Sequence, residues 1–294
     1  AGRKNLIING GFDVWQRGAY TSATGVANDT YYVDRFFTLI SIVTATLQNT
    51  ANSAKVAATS SATGFIGLSQ KVEDKVYNTL KGKTVTLSAK VTSNKSNARL
   101  RSYNGSAWAD SATSHSGNGT EETLTHTFTV SSSPSNLIIQ LITYDGDSVA
   151  LASGDYIEVT GVQLEVGSVA TDFEHRSYGE ELALCQRYYY QVGGASMEYL
   201  CQGDFYTATQ FNPSIIFPVT MRTAPSFTQV SGANYFIVYR ASNSVYKDDD
   251  WTFWKSSPNV ASIYGPMDGT STQGHSGRCL AANGNAKLMF SAEL

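Results

Sequence analysis

Charged side chains are scarce in this chain: Asp, Glu, Lys and Arg make up 15% of its 294 residues, against about 25% in ordinary soluble domains. Serine, threonine, asparagine, glycine and tyrosine fill the gap, which predicts a polar but weakly charged surface. The net charge is −3 and there is no Lys/Arg cluster, so the electrostatic footprint of a nucleic-acid-binding protein is missing. No apolar run approaches the roughly eighteen residues that a membrane span needs. The opening AGRKNLIING lacks the apolar core and small-residue cleavage site of a secretory signal, so synthesis as a soluble cytoplasmic protein is expected. Cysteine is equally sparse. Cys185, Cys201 and Cys279 are odd in number and far apart, with no Cys-x-x-Cys, which predicts buried thiols rather than a disulfide.

Catalytic signatures are absent as well. There is no Gly-x-Ser-x-Gly, no P-loop, no dinucleotide fingerprint and no His-Glu-x-x-His. His126 falls between Leu124 and Phe128 on an apolar face, where a satisfied core histidine is expected rather than a base. His115 and His275 lie in Gly/Ser-rich loops without a partner at metal spacing. A split acid/base pair on a β scaffold would leave no local trace, so a hydrolase stays open as the least favoured class.

What the chain does contain is strand after strand. Val85, Leu87, Ala89 and Val91 alternate with polar residues, as do Leu124, His126, Phe128 and Val130, giving each segment one face for a core. Leu137 to Tyr144 is more continuously apolar and reads as a central strand. Ile157 and Val159 share one phase while Val162 and Leu164 continue in the other, so a bulge is predicted at Gly161. In the second half, Asn212-Pro213, Pro218, Pro225, Pro258 and Pro266 read as breakers, with strands at Ser214 to Phe217, Tyr235 to Arg240 and Lys287 to Phe290. Gly193-Gly194 reads as a hairpin turn.

One segment switches period. Ser177 precedes Glu180 by three residues, the spacing of a capping box, and the following stretch to Arg187 predicts a helix ahead of the tyrosine run Tyr188 to Tyr190. The fold class is therefore all-β. Residues 1–170 are expected to form a β-sandwich, 171–187 a connector with a short helix, and 188–294 a smaller β domain.

The blocks NLIINGGFDVWQRG, YYVDRF, GVQLEVGSVATDFEHRSYGEELALCQRYY and FPVTMRTAPSF, with the closing SAEL, resemble bacteriophage tail-fibre and tail-tip proteins. The resemblance spans nearly the whole chain in that order. It implies a virion protein with a jelly-roll, carbohydrate-module-like first domain, and no catalytic residue set. It further suggests a homotrimer with the helix from Tyr178 to Arg187 near the threefold axis, other tail proteins as neighbours, and release by host lysis. Modules of that kind often hold structural calcium, for which the turn carboxylates Asp145, Asp147, Asp248 and Asp250 are candidates; a solvated turn is the simpler account of both groups.

Binding would show in the aromatic residues, which make up 12% of the chain. A flat ring covers the apolar face of a sugar while nearby amides and hydroxyls bond its hydroxyl groups. Trp15 reads as core. Trp108, with Tyr103, sits on a Gly/Ser/Asn-rich loop expected to expose the indole. Trp251 and Phe253 should share one strand face and Trp254 the other, so one of these two tryptophans should be exposed. The alternative is that all four tryptophans are core or subunit interface. The sequence thus points to non-catalytic attachment to a host surface polysaccharide, with a purely structural fibre or adaptor protein as the second reading.

Overall fold

The computed structural model describes residues 4–240, 243–246 and 250–294. The chain divides into two compact units, Ala1–Leu182 with Leu294, and Ala183–Glu293.

The first unit holds thirteen strands: β1 (Thr24–Val26), β2 (Tyr31–Val33), β3 (Phe36–Ser41), β4 (Ala45–Asn49), β5 (Ala54–Ala58), β6 (Ala62–Val72), β7 (Thr84–Ser93), β8 (Ala98–Tyr103), β9 (Trp108–Asp110), β10 (Glu121–Thr129), β11 (Leu137–Thr143), β12 (Val149–Leu151) and β13 (Tyr156–Val166). They form two antiparallel sheets, here called sheets A and B. Sheet A has the order β1-β4-β5-β13-β7-β10, and sheet B the order β2-β3-β6-β11-β8-β9 with β12 on β6. The chain passes back and forth between the sheets, which is the jelly-roll pattern. Alternation decides what goes inside: Val85, Leu87 and Val91 of β7 are fully buried and oppose Phe128, His126 and Glu122 of β10 in register. Ile66 and Leu68 of β6, Ile139 and Leu141 of β11, and Leu100 of β8 close the core from sheet B.

The predicted bulge is present. The register of β13 against β7 shifts between Thr160 and Gln163, and Gly161 sits at φ +59 there. The N-terminal Asn/Gly block braces this bulge. Asn5 Nδ2 donates to Val162 O at 3.1 Å, its Oδ1 accepts from Leu164 N at 3.2 Å, and Val162 N donates to Gly10 O at 2.8 Å. A side chain at position 10 is impossible in this geometry, since its Cβ would lie 2.0 Å from Val162 O.

The stretch after β13 is bonded into the first unit. Thr171 donates from its backbone and hydroxyl to Glu165, Glu174 N donates to Gln163 Oε1, and Arg176 reaches Ile7 O at 2.9 Å. Arg176 also pairs with Glu181 at 3.1 Å, both nearly buried, while Glu181 accepts from Asn9 N at 2.6 Å. Helix α1 (Tyr178–Gln186) follows, opened by the capping box: Ser177 N donates to Glu180 Oε2 at 3.2 Å and Glu180 N to Ser177 Oγ at 3.4 Å. The boundary between units falls inside this helix.

The second unit begins with β14 (Tyr189–Gly193), β15 (Glu198–Phe205), β16 (Gln210–Ile216), β17 (Ser226–Val230) and β18 (Phe236–Arg240), and ends with β19 (Asn243–Tyr246), β20 (Thr252–Ser256), β21 (Val260–Pro266), β22 (Ser276–Ala281) and β23 (Lys287–Ser291). A three-stranded sheet, β14-β23-β17, and a seven-stranded sheet, β19-β18-β22-β15-β16-β21-β20, enclose a core of Phe205, Phe211, Phe236, Ile263 and Phe290. Two sequence expectations fail here. Pro213 is a residue inside β16, tolerated because it faces Gly203, where a Cβ would meet the Pro213 Cα at 2.5 Å. Gly193-Gly194 is a crossover and not a hairpin, since β14 pairs with β23 while β15 belongs to the other sheet. All three cysteines are buried.

Candidate functional site

Sheet B presents its outward face as rows in register across strands. One row runs Lys71, Ile138, Tyr103, Trp108; the next Phe37, Ser69, Gln140, Arg101, Asp110; the third Leu39, Gly67, Ile142, Arg99. The order follows from strand period alone, because residues two apart share a face. Phe37, Leu39 and Ile142 form a small apolar cluster on this side with Tyr31, Phe65 and Tyr144, separate from the sandwich core.

At the β8–β9 edge this face ends in an aromatic group. Trp108 is 41% exposed. Its ring lies 5.3 Å from Tyr103 and 4.5 Å from the Arg101 guanidinium, whose other aromatic neighbour is Tyr144 at 4.2 Å. Arg101 is also ion-paired with Asp110 at 3.0 Å, so its plane is fixed from three sides. Beside it, Arg99 pairs with Asp145 at 2.8 Å, and Tyr144 donates its hydroxyl to Gly146 O. Gln140, in register with Arg101 on β11, is buried, and among the described residues its Oε1 has no hydrogen-bond partner. The assembly offers a flat ring flanked by fixed donors and acceptors, which is what a pyranose ring requires.

Trp108 thus stands in a short strand at the sheet edge rather than in a loop, held by Tyr103 as a cross-strand pair. The second aromatic group needs correction. Trp251 is 3% exposed and packs against Phe236 at 5.8 Å and Phe211 at 6.4 Å, so it is core and no binding platform. A bulge in β20 between Phe253 and Lys255 breaks the expected alternation. Trp254 is consequently 59% exposed with Lys255 over its ring at 5.5 Å, and Phe253 is at the surface too, stacked on Phe227 at 5.7 Å. These two rings lie in the second unit, apart in sequence and fold from the Trp108 group.

The turn carboxylates have local partners. Asp145 is taken up by Arg99, Asp147 accepts from Ser148 N at 2.7 Å, and Asp250 accepts from Ser231 Oγ at 2.7 Å. Asp248 lies outside the described residues. Among the described residues no three His, Cys, Asp or Glu side chains converge. His126 is buried, 3.0 Å from Ser102 Oγ and stacked on Phe128 at 5.1 Å. Burial lowers its pKa, against a smaller opposing effect of Asp110. His115 pins its own loop, accepting from Gly117 N at Nδ1 and contacting Thr120 O at 2.8 Å. Both are structural.

Sequence reasoning missed the contribution of Arg99, Arg101, Gln140 and Tyr144, and the reason is register. These residues are recognisable as neighbours of Trp108 only once β8, β9 and β11 are aligned. The visible signal was the Arg-x-Arg-x-Tyr spacing of Arg99, Arg101 and Tyr103, one face of one strand.

No family profile matches the chain, and no curated protein matches it. Solved structures similar to it include a CBM4 protein, at 16% identity over 54% of this chain and 98% of that one, with a TM-score of 0.35. Another is the CBM22-1 xylan-binding domain of Paenibacillus barcinonensis Xyn10C, at 12% identity over 57% of this chain and 100% of that one, with a TM-score of 0.32. A third is TmCBM61 in complex with β-1,4-galactotriose, at 12% identity over 56% of this chain and 100% of that one, with a TM-score of 0.31. At these values the likeness carries no functional argument, and the case for a ligand rests on the surface itself.

Proposed function

We propose that this chain is a non-catalytic glycan-binding protein of a phage tail, attaching the virion to host surface polysaccharide through the Trp108 face of sheet B. The observation that carries the binding part is the Tyr103–Trp108–Arg101–Tyr144 group. A large indole is left open to solvent while its neighbours are locked by an ion pair and two cation–π contacts. Such a ring has been held in place without being covered, and sugar stacking uses that geometry. The tail-fibre part is supported by the sequence blocks from NLIINGGFDVWQRG to SAEL.

A glycan array with the purified protein tests the binding, and adsorption of the protein to host cells tests the attachment. Selective array signal that falls in Trp108→Ala supports the reading. A parent protein that binds no glycan and does not adsorb refutes it, and the structural adaptor takes its place.

Assembly as a homotrimer belongs to the same proposal. Surface aromatic and aliphatic side chains of the second unit, Tyr199 (50% exposed), Ile216 (79%) and Trp254 (59%), support an oligomer, because apolar groups of that size are better covered. Light scattering at micromolar concentration checks it, and a clean monomer removes it.

A further inference from the structure

The outward face of sheet A, across the sandwich from Trp108, carries a groove of its own. Three depressions of about 240, 190 and 180 Å³ all include Lys90 in their lining and so run together along β7. The bulge at Thr160–Gly161 shapes its floor, and the two sequence blocks braced against each other there supply its walls: Asp13 from the N-terminal block, Phe173 and His175 from the stretch after β13. Each depression is below the roughly 300 Å³ at which drug-sized sites begin, a scale that suits one small ring.

Most polar groups around the groove are already satisfied. Glu158 accepts from the hydroxyls of Thr50 and Ser53, Thr160 donates to Asn52 O at 2.7 Å, and Lys90 pairs with Glu121 at 2.9 Å. The side chains of Asp13, His175 and Asn52 differ: they line one depression and, among the described residues, make no hydrogen bond to the chain. They surround Phe173, whose ring meets the His175 ring edge-on at 4.8 Å. Desolvation raises the Asp13 pKa, with His175 opposing, while the side chain stays open to solvent. Charge narrows the ligand further. Lys90, with Lys4 bonded to Thr171 Oγ1 and Asp172 O, stands against Asp13, Glu121, Glu158 and Asp172, so the carboxylates outnumber the lysines and an anionic sugar is disfavoured.

We propose that this groove is a second glycan site, taking a neutral hexopyranose ring against Phe173 with its hydroxyls bonded by Asp13, Asn52 and His175. The site is on the opposite sheet from Trp108 and does not rest on the platform there. A carboxylate acceptor, an amide and an imidazole cover both donor and acceptor needs of vicinal hydroxyls.

The test uses the full chain carrying Trp108→Ala, so that the Trp108 platform is removed, with saturation-transfer NMR and titration of methyl glucoside, methyl galactoside and methyl mannoside. Methyl galacturonate is the anionic control. At least one neutral glycoside should bind, and adding Phe173→Ala or Asp13→Asn should weaken it by about tenfold, while the uronate should not bind. Asp13→Asn is isosteric and at the surface, so it carries the test should Phe173→Ala melt early. Absence of neutral-glycoside binding in the Trp108→Ala chain overturns the proposal, as do unchanged affinity in both groove variants or equal binding of the uronate. The platform reading is judged separately, from the parent against Trp108→Ala alone.

Discussion

Replacing Trp108 by alanine separates a binding residue from a structural one, and its magnitude can be worked from the contacts. The truncation removes the ring pair with Tyr103, worth about 0.5–1.5 kcal/mol, and the contact with Arg101, worth about 0.5–1 kcal/mol at an exposed site. Backbone pairing of β9 with β8 survives, and the Arg101–Asp110 ion pair and the Tyr144 contact still hold the guanidinium. Stability should therefore fall by about 1–2.5 kcal/mol, a shift of several degrees in Tm at roughly 2–4 °C per kcal/mol. Glycan affinity should fall by about 1–3 kcal/mol, the range of aromatic hot spots, which is roughly 5- to 150-fold in Kd. Trp251→Ala is the comparison. That side chain is 3% exposed in the second core, so its loss should cost about 3–5 kcal/mol of stability with glycan affinity unchanged in protein that remains folded. Calorimetric titration beside thermal melting reads both quantities. Parental affinity in folded Trp108→Ala, with measurable binding by the parent, refutes the platform.

Glu181→Ala should cost about 3–5 kcal/mol, because it leaves the nearly buried Arg176 charge and the Asn9 N–H without their partner; urea unfolding measures this, and a loss under about 1 kcal/mol, the level of a surface pair, would refute it. Gly10→Ala should destabilise by about 3 kcal/mol or more, since the new Cβ would lie 2.0 Å from Val162 O; an unchanged melting temperature would contradict that close approach. His126 gives a pH signature. Its folded pKa is lowered by burial, so the unfolded chain binds the extra proton as pH falls below about 6.5. The stability it contributes is present above that value and is lost as pH drops towards the folded pKa. Unfolding curves measured across that window should show a steeper decline for the parent than for His126→Leu, and identical slopes would count against the assignment.

Local elements were well marked in the sequence. Period-two alternation placed β7 and β10, a continuous apolar run placed β11, a phase change marked the bulge at Gly161, and the Ser177/Glu180 spacing marked the start of α1. Each depends on residues within a few positions of one another. Errors came where a distant residue decides. Pro213 reads as a breaker until Gly203 is known to face it, and Gly193-Gly194 reads as a hairpin until β14 is seen to pair with β23 while β15 joins the other sheet. Trp251 and Trp254 were indistinguishable by pattern. A single bulge in β20 and the neighbours Phe211 and Phe236 separate one as core from the other as surface.

The candidate site divides in the same way. Trp108 and Tyr103 could be named from composition, because an aromatic in a Gly/Ser/Asn-rich stretch has little nearby to cover it. Their setting could not: Arg101 between two rings, with Gln140 and Asp110 in register on either side of it, depends on the alignment of β8, β9 and β11. The blocks NLIINGGFDVWQRG and TDFEHRSYGEE read as structural segments, and their hydrogen bonds across the bulge agree with that; only the folded chain brings Asp13, Phe173 and His175 to one groove. The sequence by itself determined an all-β chain, its strand faces and its helix start, because backbone preference and burial alternate over short distances. Tertiary structure decided which rings are open, which carboxylates are satisfied and where two remote blocks meet, because register and sheet-to-sheet packing join residues more than a hundred positions apart.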